Sequence, residues 1–165
     1  MANFSFDVIS DYDKSELNNV FDQTQREMMN RYDFKGTNAQ IEWLDSEKNG
    51  LKITGDNDYQ LDAIADIVRK KLASRGQSQK LLDTSKDPQT SNLKMTWEVP
   101  FKRGLNQEKA KKITSLLRDK FPKAKTQIQG EEIRIASSSK DELQAVMQML
   151  RQQDFDFPIS FTNFR

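Results

Sequence analysis

The chain has 165 residues, of which 31% are charged and 35% hydrophobic, and its 26 Lys/Arg against 25 Asp/Glu leave a net charge of +1. That length holds one ordinary domain or two small ones, and the lack of any cysteine excludes disulfides and thiolate metal ligands. Histidine is absent too, so the commonest general base and the best thiol nucleophile are both missing, which argues against hydrolase or transferase chemistry and for a protein that is not an enzyme.

Phe4, Phe6 and Val8 alternate with Ser5 and Asp7, the pattern of a strand. Asp13 then reads as a helix N-cap, with Glu16 as its capping-box partner. The helix is expected to run to about Arg31, with Leu17, Val20, Phe21 and Met28 on one stripe. Ala39, Ile41 and Trp43 alternate as a second strand, Asn49-Gly50 reads as a tight hairpin turn, and Leu51 and Ile53 mark the return strand. Asp56 or Asp58 caps a second helix carrying Leu61, Ile64, Ile67, Val68 and Leu72, and Gly76 is placed to end it. Residues 77–93 are polar apart from Leu81, Leu82 and Leu93 and read as a linker, with Leu81-Leu82 as a candidate edge strand.

The second half repeats this order. Met95, Trp97, Val99 and Phe101 alternate as a strand, a helix from about Asn106 to Phe121 is expected to bury Ala110, Ile113, Leu117 and Phe121, strands follow at 124–129 and 131–136, and a helix at 139–151 precedes a strand from Ile159 to Asn163. Residues 49–70 align without a gap on 131–152, at a constant offset of 82 that brings Leu51 onto Ile133, Ile53 onto Ile135 and Leu61 onto Leu143. Such spacing is too long for a solenoid and suits a tandem of small domains. The expected class is α+β, two ferredoxin-like βαββαβ plaits at 1–88 and 89–165. The first plait shows its last strand poorly, which leaves open a strand exchanged between the two.

Charge is uneven along the chain. Residues 1–88 carry 12 Lys/Arg and 16 Asp/Glu, net −4, and residues 89–165 carry 14 and 9, net +5. The excess concentrates at 102–125, where Lys102, Arg103, Lys109, Lys111, Lys112, Arg118, Lys120, Lys123 and Lys125 face only Glu108 and Asp119. A concentrated positive field points to anionic partners. The bland alternative is a solvated helix face, with Glu108 paired to Lys112 one turn on. No phosphate-binding loop can be read, because the six glycines are scattered. Asp45 to Asp56 loosely resembles a calcium loop, but its spacing and strand-like flanks favour a hairpin. No cofactor is expected. No run approaches the roughly 20 apolar residues of a membrane helix, and Met-Ala-Asn-Phe-Ser-Phe-Asp lacks a signal core, so the chain is expected to be cytoplasmic with no membrane partner.

Arg31-Tyr32-Asp33-Phe34-Lys35-Gly36 interleaves aromatics with cations, as a stacked base with a neighbouring phosphate would require; equally, its aromatics serve to cover a helix end. The outward strand positions are polar, so an RNA-recognition sheet with stacking aromatics is not expected, although Gln127, Gln129 and Arg134 could reach base edges.

The opening Ser-Phe-Asp-Val-Ile-Ser, the Arg31–Gly36 segment, the run from Gln127 to Ile135, the helix from Asp141 to Arg151 and the closing Phe-Thr-Asn-Phe-Arg resemble the YajQ family of small bacterial proteins, collinearly over the whole chain. At Lys102-Arg103-Gly104-Leu105 the chain departs from the Lys-Gln-Gly-Ile of many relatives. The resemblance implies two RNP-like ferredoxin plaits in tandem and nucleotide binding, with cyclic di-GMP or a related dinucleotide as ligand. RNA or ribosome association, and an adaptor role toward a transcription or translation factor, are the alternatives. The family offers no binding motif to carry over residue by residue; from the charge clustering and the 31–36 segment, Lys102, Arg103, Lys112, Lys123 and Lys125 are expected to supply charge, Arg31, Lys35 and Arg134 to contact base or phosphate, and Phe34 to stack.

Overall fold

The computed structural model describes residues 4–165; Met1, Ala2 and Asn3 of the N-terminal segment read above for signal character lie outside the described residues. In chain order the elements are β1 Phe4–Ile9, α1 Lys14–Asn30, β2 Gln40–Trp43, β3 Gly50–Gly55, α2 Asp58–Ser74, β4 Gln89–Ser91, β5 Lys94–Pro100, α3 Gln107–Lys120, β6 Lys125–Gln129, β7 Glu132–Ser137, α4 Lys140–Gln152 and β8 Ser160–Thr162. The internal repeat survives folding: β7 and α4 begin 82 residues after β3 and α2.

The strands form two antiparallel four-stranded sheets, β6-β7-β1-β8 and β2-β3-β5-β4. The compact units are accordingly residues 12–102, and residues 4–11 with 103–165. They differ from a division at 1–88 and 89–165, because β1 pairs with β7 and β8 while β5 pairs with β3 and β4. Each unit is a ferredoxin-like plait in which β1 or β5 holds the central place of the leading strand. The two halves have exchanged these strands.

A short turn explains the exchange. Ser91 pairs with Lys94, and the two residues between them, Asn92 and Leu93, take φ of 50° and 65°. Two consecutive positive φ values are the mark of the hairpin turn whose twist matches that of its strands. With β4 leading into β5 through two residues, β5 lies beside β4 and cannot join the sheet of its own half. Residues 77–93 are therefore part of the 12–102 unit and not a linker. Leu81 and Leu82 are buried in its core, Leu82 bridges Phe101, and the missing fourth strand is Gln89–Ser91.

In the 12–102 unit Leu17, Val20 and Met28 of α1 and Leu61, Ile64, Ile67, Val68 and Leu72 of α2 cover Ile41, Leu51, Ile53, Trp97 and Val99 of the sheet. Asp13 caps α1 by accepting from the Ser15 and Glu16 amides. Glu16 does not close the capping box; it takes a two-point contact from Arg75 at 2.6 and 3.0 Å, tying the two helix ends together. The cap of α2 is Asn57, between the two aspartates expected, and its side chain accepts from the Gln60 amide. Gly76 ends that helix at φ 74°, with the Gln77 amide reaching back to the Leu72 carbonyl. Asn49-Gly50 is not a two-residue turn. The loop is 44–49, Lys48 takes the left-handed conformation, and Asp45 organises it by accepting from the Glu47 and Asn49 amides. Gly50 is inside β3 for another reason: a Cβ there would stand 2.7 Å from the Pro100 Cα.

In the other unit Phe6 and Val8 of β1 and Ile133 and Ile135 of β7 are fully buried beneath Ile113, Leu117, Val146 and Leu150 of α3 and α4.

Two measurements test the exchange. A fragment of residues 12–102, which carries all four strands of its sheet, should unfold cooperatively by circular dichroism, whereas 1–88 lacks the central β5 and should not; equal cooperativity would contradict the strand assignment. Leu93, 90% exposed in a conformation that costs a non-glycine residue energy, should yield about 1 kcal/mol of added stability as Leu93→Gly in urea unfolding.

Candidate functional site

The residues expected to bind divide between the two units. Arg31, Phe34, Lys35 and Lys102 belong to the 12–102 unit, and Arg103, Lys112, Lys123, Lys125 and Arg134 to the other.

Arg31 follows the last turn of α1, its amide held by the Met28 carbonyl. Its guanidinium donates to both oxygens of Asp33, at 3.0 and 2.6 Å, and lies over the Phe34 ring at 4.7 Å. The ion pair holds the Asp33 carboxyl below its ordinary value and raises Arg31 above its own. Phe34 is a core side chain, 6% exposed. The stacking face expected of it is covered by Arg31 and the core, and the aromatic that reaches solvent in this segment is Tyr32, 89% exposed. One edge of Phe34 does border a half-open cavity of about 350 Å³ between α1 and β2, where Lys35 also lies. A second cavity, of about 300 Å³, borders Arg31 and Tyr59 beside α2. The 31–36 segment thus separates two concave surfaces.

Lys112, Lys123 and Lys125 are exposed and form no ion pair among the described residues. Glu108 does not pair with Lys112. Arg103 is committed to Asp11 at 2.9 Å. Gly104 beside it adopts φ 81°, and its amide donates to the Ser10 carbonyl. The amide of Lys102 donates to the Leu81 carbonyl at 2.7 Å.

The exchanged strands change the charge picture. Counted by unit, residues 12–102 hold 14 Lys/Arg and 15 Asp/Glu, and the remainder of the chain holds 12 and 10. The contrast of −4 and +5 between halves becomes −1 and +2. What persists is polarity within the second unit. Its 103–125 stretch has 8 cations against 2 carboxylates, and the rest has 4 against 8.

Arg134 lies on the face of β7 opposite Ile133 and Ile135, and its Nε donates to Asp7 of β1 at 3.1 Å. Asp7 is only 2% exposed, and its other oxygen accepts from the side-chain Nδ2 of Asn163 at 2.8 Å. The hydrogen bond from Arg134 holds the Asp7 carboxyl below its ordinary value against the opposing effect of burial. A buried carboxylate left unpaired would be costly, so Arg134 is a structural partner as it stands. Gln127 is next to Arg134 in register. Asn163, in a left-handed conformation at φ 54°, was the member of this cluster that no sequence spacing announced.

No cluster of three or more His, Cys, Asp or Glu that could hold a metal occurs among the described residues, and no helix among them is long and apolar enough to cross a membrane. The sequence pattern of the family described as "Nucleotide-binding protein YajQ-like" matches residues 4–165. The chain belongs to the YajQ-like family. It is 43% identical to a "Nucleotide-binding protein" of Nocardioides sp. over the full length of both. It is 42% identical to one of Trichodesmium erythraeum over 98% of this chain and 97% of the relative. A third, of Nostoc punctiforme, is 40% identical over 99% of each. The YajQ-like chain therefore aligns with each of these relatives over at least 98% of its length.

The Asp7 pair makes a pH prediction for this YajQ-like protein. A carboxyl depressed by folding adds stability that is complete above its unfolded pKa, about 4, and is lost as pH falls through the lower folded value. Asp7→Asn should lower the thermal midpoint at neutral pH and flatten its fall at acid pH relative to the parent. Parallel midpoint curves from about pH 2 to about pH 7 would remove the pair from the account.

Proposed function

We propose that this protein binds a nucleotide reversibly, without transforming it, in the cytoplasm. The observation that carries the reading is the set of exposed ammonium groups on α3, β6 and the turn between them, foremost Lys112, Lys123 and Lys125, which form no ion pair among the described residues, in a chain that belongs to a family described as nucleotide-binding. Unpaired surface cations are available to phosphate oxygens without first breaking an ion pair. Arg103 and Arg134 keep their charge but already hold Asp11 and Asp7, so they are secondary contacts. Arg31 stands likewise toward Asp33. The family resemblance favours cyclic di-GMP or a related dinucleotide as the ligand.

A second reading, RNA or ribosome association, is favoured by the length of the basic stretch, whose cations run from Arg103 to Lys125. The two readings differ in salt response. Each phosphate neutralised on a single strand adds about 0.7 to the slope of log affinity against log salt. A dinucleotide with two phosphates gives a shallow slope, and an RNA spanning many gives a steep one.

The test is calorimetric titration of cyclic di-GMP and of a short single-stranded RNA into the parent and into Lys112→Glu/Lys125→Glu, at two salt concentrations. Affinity for the true ligand should fall roughly tenfold in the double variant, as expected for charge-assisted contacts at a solvated surface. Unchanged affinity would exclude this surface as the binding site.

A further inference from the structure

We propose that the cavity of about 350 Å³ between α1 and β2 receives the base and sugar of a purine nucleoside monophosphate, with the Lys35 ammonium meeting its phosphate. The proposal rests on the nucleotide reading above and places a separate mononucleotide site, with its own cation, wholly within the 12–102 unit.

The cavity has the make-up such a ligand needs. Its apolar wall comes from Met28, Ile41 and the edge of Phe34, side chains held in the core of the unit. Met29, 76% exposed, borders it from the solvent side. Thioethers are polarisable and adapt to the flat face of an aromatic ring. Gln25 and Gln40 border the same space, one from α1 and one from β2. A primary amide carries both donors and an acceptor, which is what the hydrogen-bonding edge of a nucleobase presents in return. A purely apolar acid would leave both amides without a use.

Charge selects the other end of the ligand. Lys35 is the one charged side chain among the described residues that line the cavity, and it forms no ion pair. No carboxylate is among the described residues lining the cavity, so the charge at its wall favours an anionic group. The neighbouring cavity beside α2 is different in kind. It mixes Arg31 and Lys70 with Asp62 and Asp66, and Asp66 is already paired with Arg69, so its charges offset one another. Size also decides. Ligand pockets run from roughly 300 to 1,000 Å³, and this one is at the small end, room for one nucleoside and not two.

The methionine methyl groups provide a local readout. The chain has six methionines, and of those among the described residues Met28 and Met29 alone border the cavity. Full-length protein labelled at the methionine methyls is titrated with GMP and AMP, with guanosine, inorganic phosphate and octanoate as comparisons, and binding is followed in parallel by calorimetry. The expected result is binding of a mononucleotide that shifts the Met28 and Met29 resonances and leaves Met147 and Met149 in place. Lys35→Ala should weaken the mononucleotide about tenfold and guanosine little, as for one charge-assisted contact. Met29→Trp, at an exposed position that spares the core, should reduce binding by narrowing the cavity. A mononucleotide that binds with Met28 and Met29 unmoved overturns the cavity assignment and leaves the nucleotide reading standing. Shifts produced by octanoate but by neither mononucleotide overturn the ligand class. No heat and no shift with any nucleotide, cyclic di-GMP included, overturns both.

Discussion

β1 and β5 each sit in the middle of a sheet and pair on both edges, so neither sheet closes without its central strand. An edge strand can be lost with one row of hydrogen bonds. A central strand takes two rows and the apolar residues beneath them. Phe6 and Val8 in one sheet, and Trp97 and Val99 in the other, are the side chains against which the helices of each unit pack. The two-residue turn at Asn92-Leu93 fixes the position of β5, and once β5 is beside β4, the sheet of α3 and α4 is completed by β1.

That exchange also governs the electrostatics. Divided at the middle of the chain, the protein looks like an acidic half and a basic half. Divided as it folds, it has two nearly neutral units, one of which is polarised between the 103–125 stretch and the rest of its surface. A field of this kind acts over about 10 Å or less at ordinary ionic strength. It favours anions at the α3–β6 surface without giving the whole protein a sign.

Side-chain commitments divide the cations further. The three candidate arginines, Arg31, Arg103 and Arg134, each hold a carboxylate, whereas Lys35, Lys112, Lys123 and Lys125 hold none among the described residues. The guanidinium fork matches a carboxylate in two-point geometry, and Arg31 on Asp33 shows why such a group becomes structural. Lysines on flexible stems remain open to solvent and to ligand.

The sequence alone determined the elements and their faces. Period-two alternation marked β1, β2, β3, β5 and β7, and helical spacing marked all four helices with their buried stripes, because both patterns are local consequences of backbone geometry. Gly76 as a helix stop was legible for the same reason. Four things were decided only in three dimensions. The partner of each central strand was one, since alternation states which face is apolar and says nothing about which sheet receives it. The hairpin at Asn92-Leu93 was another, because Leu is not the residue its conformation prefers. Glu16 turning to Arg75, and Arg134 to Asp7 across 127 residues of sequence, depended on side chains far away in the chain. Last, the burial of Phe34 and the cavity it borders depend on α1 packing over β2, and no spacing within the 31–36 segment encodes that contact.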